Sequence, residues 1–97
     1  MHDTDGPAAP AVRHEPERSR FVVELPEGEA ELLYGAFAED VIDLQHTEVP
    51  RAGRGKGVGD ALVRAALAYA RARGARVMAT CPYVQQWLRR HPEERPA

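Results

Sequence analysis

Arg54-Gly55-Lys56-Gly57-Val58-Gly59 alternates cations and glycines immediately ahead of an apolar helical stripe. Glycines let backbone N–H groups come close to a ligand. A helix N-terminus adds partial positive charge, and Arg54 and Lys56 add full charges, so the chemistry on offer is anion binding, above all of phosphate. Two familiar phosphate loops fail on spacing. A P-loop needs Ser or Thr directly after its lysine, but Gly57 follows Lys56. The dinucleotide fingerprint Gly-x-Gly-x-x-Gly would need glycine where Asp60 or Val58 stands.

Other side chains could move protons or attack carbon. Cys81 directly precedes Pro82, a residue tolerated at the first position of a helix. The thiol is therefore expected at the positive end of that helix, where thiolate is favoured. Cys81 is a candidate for the reacting centre, as nucleophile or proton donor; a buried packing cysteine is the alternative. His46 and Glu48, two apart in a strand pattern, share a face and could pair as base and carboxylate; a satisfied, partly buried histidine is the alternative. A metal centre built from His46, Cys81 and His91 would need ligands from three distant segments, and none is expected.

The elements that must hold these groups follow from periodicity. Arg20 to Leu25 alternates Phe21, Val23 and Leu25 on one face, as a strand does. Pro26-Glu27-Gly28-Glu29 is turn chemistry leading into a second strand, Ala30 to Phe37. Val41 to Glu48 is a third, with Ile42, Leu44 and His46 on one face and Val41, Asp43 and Gln45 on the other. Val58, Ala61, Leu62, Ala65, Ala66 and Tyr69 recur at helical spacing, and Gly74 stops the helix after the basic last turn of Arg71 and Arg73. Ala75 to Thr80 reads as a strand, and Tyr83 to Arg90 as a short helix with Val84, Trp87 and Leu88 inward. Strand, loop, helix, strand from Val41 to Thr80 suits a right-handed parallel crossover. The expectation is an α/β fold: a mixed sheet of about four strands, a three-stranded antiparallel meander plus a parallel strand, with one long helix and a short C-terminal helix.

Residues 1–16, with Gly6, Pro7, Pro10 and Pro16 and no apolar period, read as a disordered N-terminal tail, and residues 17–97 as the domain. A chain of 97 residues has room for one core and one site. Thirteen Lys plus Arg against fifteen Asp plus Glu give a formal charge of −2, which removes the basic field of a dedicated nucleic-acid binder and makes any anion site local. No apolar run is long enough to span a bilayer and no signal-peptide pattern opens the chain, so no membrane partner is expected. One free cysteine fits a reducing, cytoplasmic setting.

Arg54, Gly57 and Gly59 in the order Arg-x-x-Gly-x-Gly, between strand and helix, resemble the acetyl-CoA pyrophosphate loop of the GNAT superfamily of N-acetyltransferases. His46-Thr47-Glu48-Val49 before the loop, with Cys81-Pro82-Tyr83-Val84 and Arg90-His91-Pro92-Glu93 after it, is similar to a small single-domain GNAT-like family, over roughly Arg20 to Glu93. The resemblance implies a minimal GNAT-like fold with coenzyme A where two parallel strands splay. It implies Thr47, Val49, Arg54, Gly55, Lys56, Gly57, Val58 and Gly59 as coenzyme contacts, and Cys81, His46 and Glu48 as candidate catalytic groups. Backbone amides at the end of the His46 to Val49 strand would serve as oxyanion donors if that strand is bulged. Tyr83 stands where such enzymes often place a hydroxyl acid, although an aromatic anchor for the last helix explains it as well. Asp60 departs in charge and is expected to point away from phosphate. The implied activity is acetyl transfer from acetyl-CoA to an amine, on a small molecule or a peptide. A non-catalytic coenzyme A binding or interaction module is the alternative, and a ligand-free adaptor a third reading. A tight turn replaces the helices that larger members carry after the first strand.

Overall fold

The computed structural model describes residues 10–38 and 40–96. Five strands form one sheet in the order β1-β2-β3-β4-β5, with β1 Arg13–Glu15, β2 Arg20–Leu25, β3 Gly28–Ala38, β4 Val41–Glu48 and β5 Arg76–Ala79. The first three pairings are antiparallel and β4 with β5 is parallel. Helix α1, Val58–Arg73, makes the crossover between the parallel strands, and α2, Pro82–Arg90, follows β5. The α/β class, the meander, the parallel strand and both helices are as the sequence implies.

The fifth strand is the addition. β1 lies inside the stretch expected to be a tail, so that expectation is corrected for Arg13–Glu15; residues 1–9 lie outside the described residues. Polar residues make a strand here because their partners are distant in sequence. Arg20 donates to Glu15 at 2.7 Å and to Glu31 at 2.8 Å. The His14 ring stacks on Phe21 with centroids 4.3 Å apart, and its Nε2 lies 2.7 Å from the Tyr34 hydroxyl.

One face of the sheet carries the core. Phe21, Val23, Leu32, Tyr34, Ile42 and Leu44 meet Val58, Leu62, Val63, Ala66, Leu67 and Ala70 of α1, with Val84, Trp87 and Leu88 of α2 closing the end. The buried stripe of α1 is rotated from the expected one. Val63 and Leu67 are inside, while Ala61, Ala65 and Tyr69 lie at its margin, because the larger side chains remove more apolar area from water. Leu62 and Leu44 are fully buried.

β4 is not regular. Leu33 pairs with His46 and Tyr34 with Leu44, which leaves Gln45 as an extra residue without a partner on β3. A bulge of this kind resets the alternation of faces beyond it. Thr47, opposite Leu32, now faces the helices, and His46, opposite Leu33, faces away. The expectation that His46 shares a face with Ile42 and Leu44 is therefore overturned by the bulge.

Candidate functional site

The site begins where β5 stops. β5 pairs with β4 only as far as Leu44 with Ala79, and the Leu44 carbonyl accepts from the N–H groups of both Thr80 and Cys81 at 3.0 Å. Past that point the chain turns into α2 while β4 continues to Glu48. The two parallel neighbours separate, and a cleft of about 730 Å³ opens between the end of β4, the glycine loop and the first turn of α2.

The floor of the cleft is the N-terminus of α1. Its N-cap is Gly57, which offers no capping side chain, and the first helical bond runs from Ala61 N–H to the Gly57 carbonyl at 3.0 Å. The amides of Val58, Gly59 and Asp60 precede that bond, so intrahelical partners do not satisfy them, and they can serve an anion instead. Gly55 and Gly57 have φ of 78° and 80°, which lets the loop turn into the helix at positions where a β-branched residue would be strained. An oxyanion such as a pyrophosphate fits this cradle, because it supplies acceptors where the helix lacks them. Arg54 lines the same cleft and donates through Nε to the Val49 carbonyl at 3.2 Å, which ties the loop to the end of β4. Lys56 stands outside it, over a shallow depression shared with Val12, Arg13, Leu25 and Val58.

Asp60 also lines the cleft, but both of its carboxylate oxygens are engaged. One carboxylate oxygen accepts from Trp87 Nε1 at 2.9 Å and the other from Arg64 Nε at 3.0 Å. Burial works against its ionisation, but the Trp87 and Arg64 hydrogen bonds outweigh it and hold the carboxyl below the ordinary range. The acid thus fastens α2 to α1 at the edge of the cleft.

The remaining expected residues divide by face. Thr47, Val49, Gly55, Gly57, Val58 and Gly59 line the cleft, as do His46 and Glu48 at its outer lip. His46 Nε2 and Glu48 Oε1 are 3.4 Å apart, with side chains 56% and 70% exposed, so they form a solvent-facing pair. Cys81 occupies the N-cap of α2, as expected, but is only 4% exposed and does not line the cleft; its Sγ lies 3.5 Å from Oγ1 of Thr47, which does. Tyr83 lines the cleft and is 43% exposed, and burial of its ring raises the phenol above its ordinary range. Sequence reasoning left Tyr83 as an anchor or an acid; its place is at the cleft wall beside Gly59.

Comparison with known proteins places the chain in a family. The family described as GCN5-related N-acetyl-transferase matches residues 20–96. Protein NATD1 of Bos taurus is 39% identical over 83 residues, covering 84% of this chain and 74% of that protein. Protein NATD1 of Homo sapiens is 37% identical with the same coverage. The NMR solution structure of a GCN5-like protein from Staphylococcus aureus superposes with a TM-score of 0.67 at 22% identity, covering 87% of this chain and 82% of that one. That likeness speaks for the fold.

Proposed function

The chain belongs to the GCN5-related N-acetyltransferase family, and we propose that its cleft binds acetyl-CoA and passes the acetyl group to an amine of a small molecule or peptide. The observation that carries this reading is the uncapped N-terminus of α1, opened toward the gap left where β5 ends beside Leu44. The amides of Val58, Gly59 and Asp60, with Arg54, hold the pyrophosphate; Lys56 acts from outside through its charge. Thr47, on the helix-facing side of β4 past the bulge, and Val49, just after the strand, line the path of the acyl arm.

The transfer requires a neutral amine, donors for the oxyanion of the tetrahedral state, and a proton for the departing sulfur. At the outer lip His46 takes the amine proton, with Glu48 beside it to stabilise the charge that follows. From Gln45 onward β4 has no β5 partner, and backbone amides along that stretch are the oxyanion donors. Tyr83 and Cys81 are the proton carriers on the inner side. The burial of Cys81 behind Thr47 favours direct transfer over an acetyl-cysteine intermediate. The single thiol, kept reduced, suits the cytoplasm.

Two measurements test the reading together. Free CoA and acetyl-CoA should both raise the melting temperature, since the pyrophosphate is common to them. Thiol release from acetyl-CoA with a panel of primary amines should then identify an acceptor. Stabilisation without thiol release across the panel points to a binding module, and unchanged melting at millimolar coenzyme removes the site altogether. Intact mass after acetyl-CoA treatment should show no adduct; one added acetyl group, absent in Cys81→Ala, would establish the covalent route instead.

A further inference from the structure

Two charged side chains of the sheet are buried, Arg20 and Asp43. Arg20 is met by Glu15, Glu29 and Glu31, so its charge is balanced. Asp43 is 5% exposed and has no such counterpart: among the described residues, every hydrogen bond to its side chain comes from Thr80. The Thr80 N–H is shared between Asp43 Oδ1 and the Leu44 carbonyl, at 3.0 Å each. The Thr80 hydroxyl stands 3.0 and 2.8 Å from the two carboxylate oxygens. A buried carboxylate without a cation is costly, and an apolar residue would serve stability at least as well. Its place in the ladder gives it a use. Leu44 with Ala79 is the last paired rung of β4 and β5, and Thr80 is the residue after it. A further rung would bring the Thr80 carbonyl to the His46 N–H; instead that carbonyl lies 3.4 Å from Gln85 Nε2 of α2. Pro82 has no N–H with which to carry the ladder on.

We propose that Asp43 is a positioning residue: its carboxylate latches Thr80 just past the last rung, and so fixes where β4 and β5 part and how far the cleft between them opens. The inference rests on the coenzyme-binding reading and adds to it a device on the far side of the sheet. Asp43 lies between Ile42 and Leu44, which face the helices, so its own side chain faces away from them and from the coenzyme. It acts through the backbone. With Thr80 held, the Cys81 N–H turns back to the Leu44 carbonyl at 3.0 Å, and α2 starts at Pro82 with Tyr83 at the cleft wall. From Gln45 onward β4 is then left unpaired on its β5 side. Released from the latch, Thr80 can swing toward His46 and narrow the gap.

Asp43→Ala, Thr80→Val, Thr80→Ser and the double variant Asp43→Ala with Thr80→Val test the latch in the full chain. Calorimetry with free CoA should show affinity about tenfold weaker in Asp43→Ala and in Thr80→Val, and no weaker still in the double. Thr80→Ser keeps the hydroxyl and should stay within about twofold of the parent. Amide exchange followed by NMR should quicken about tenfold or more at Thr80 and Cys81 in Asp43→Ala, with Met78 on the same strand unmoved. The melting temperature of Asp43→Ala should stay within about 5 °C of the parent, because losing a buried charge offsets losing its hydrogen bonds. A part in stability alone would lower melting and leave the affinity of the folded chain intact. Parental CoA affinity in Asp43→Ala, unmoved exchange at Thr80, or a Thr80→Ser as weak as Thr80→Val would overturn the latch. If Asp43→Ala does not fold, the two Thr80 variants decide alone. Failure of the unaltered protein to bind CoA would instead overturn the functional reading and the purpose of the latch with it, while the exchange rates would still report whether Asp43 holds Thr80.

Discussion

The two halves of β4 do different work. Val41 to Leu44 is paired on both sides, to β3 and to β5, and buries Ile42 and Leu44 under the helices. His46 to Glu48 is paired on one side only and ends in solvent. Between them stands Gln45, the bulged residue, level with the point where β5 gives way to α2. One strand thus serves the core first and the cleft afterwards, and the bulge lets the second half present Thr47 inward without disturbing the register of the first. Stability and function are separated along a single element, so they should respond separately to substitution.

The largest effect should come from the first half. Leu44→Ala removes a fully buried side chain and should cost about 2–5 kcal/mol in urea unfolding. Thr47→Val, three residues on, forfeits at most a weak contact to Cys81 and should cost no more than about 1 kcal/mol while changing the cleft. Equal destabilisation by the two would break the comparison. Next in size is Gly57→Val, which forces a β-branched residue to a φ of 80° at a cost of about 1–2 kcal/mol. CoA affinity measured by calorimetry should nevertheless fall more than tenfold in a chain that still folds, and an unchanged affinity would reduce the glycines to a linker.

The smallest effect belongs to a region remote from both halves. Burial in the ring cluster of Phe21, Tyr34 and Tyr69 lowers the His14 pKa, so the folded chain resists protonating it. The unfolded chain then binds more protons below its pKa of about 6.5, and this contribution to stability is present above that pH and lost as pH falls through the lowered folded value. His14→Phe should flatten the decline of melting temperature between about pH 7 and 5, with CoA affinity at pH 7 unchanged. A decline as steep as in the parent protein would place the titrating group elsewhere.

What could be read from the sequence followed from short-range physics. The bounds of β4 and the end of α1 at Gly74 were legible because alternation and a glycine stop are local signals. The partners of Asp60, Trp87 and Arg64, were not legible as such, although its place in the first turn of α1 was. β1 was not, since Arg13, His14 and Glu15 become a strand only through Arg20, Phe21 and Tyr34. Neither Gln45 nor its neighbours carry a residue type that marks a bulge, so the reversed face of His46 was hidden too. Tyr83 was half visible: glycine at position 59, inside a helix that would favour alanine, was the signal that something packs there.

The account turns on coenzyme at the N-terminus of α1, and the most direct measurement is an amide NMR titration of the intact chain with free CoA. The account predicts saturable shifts concentrated on the amides of Gly57, Val58, Gly59 and Asp60 and on Thr47 and Val49, with β1 and β2 unmoved. Saturable binding that shifts β1 and β2 and leaves the α1 N-terminus still, or no shifts at millimolar CoA, would contradict it.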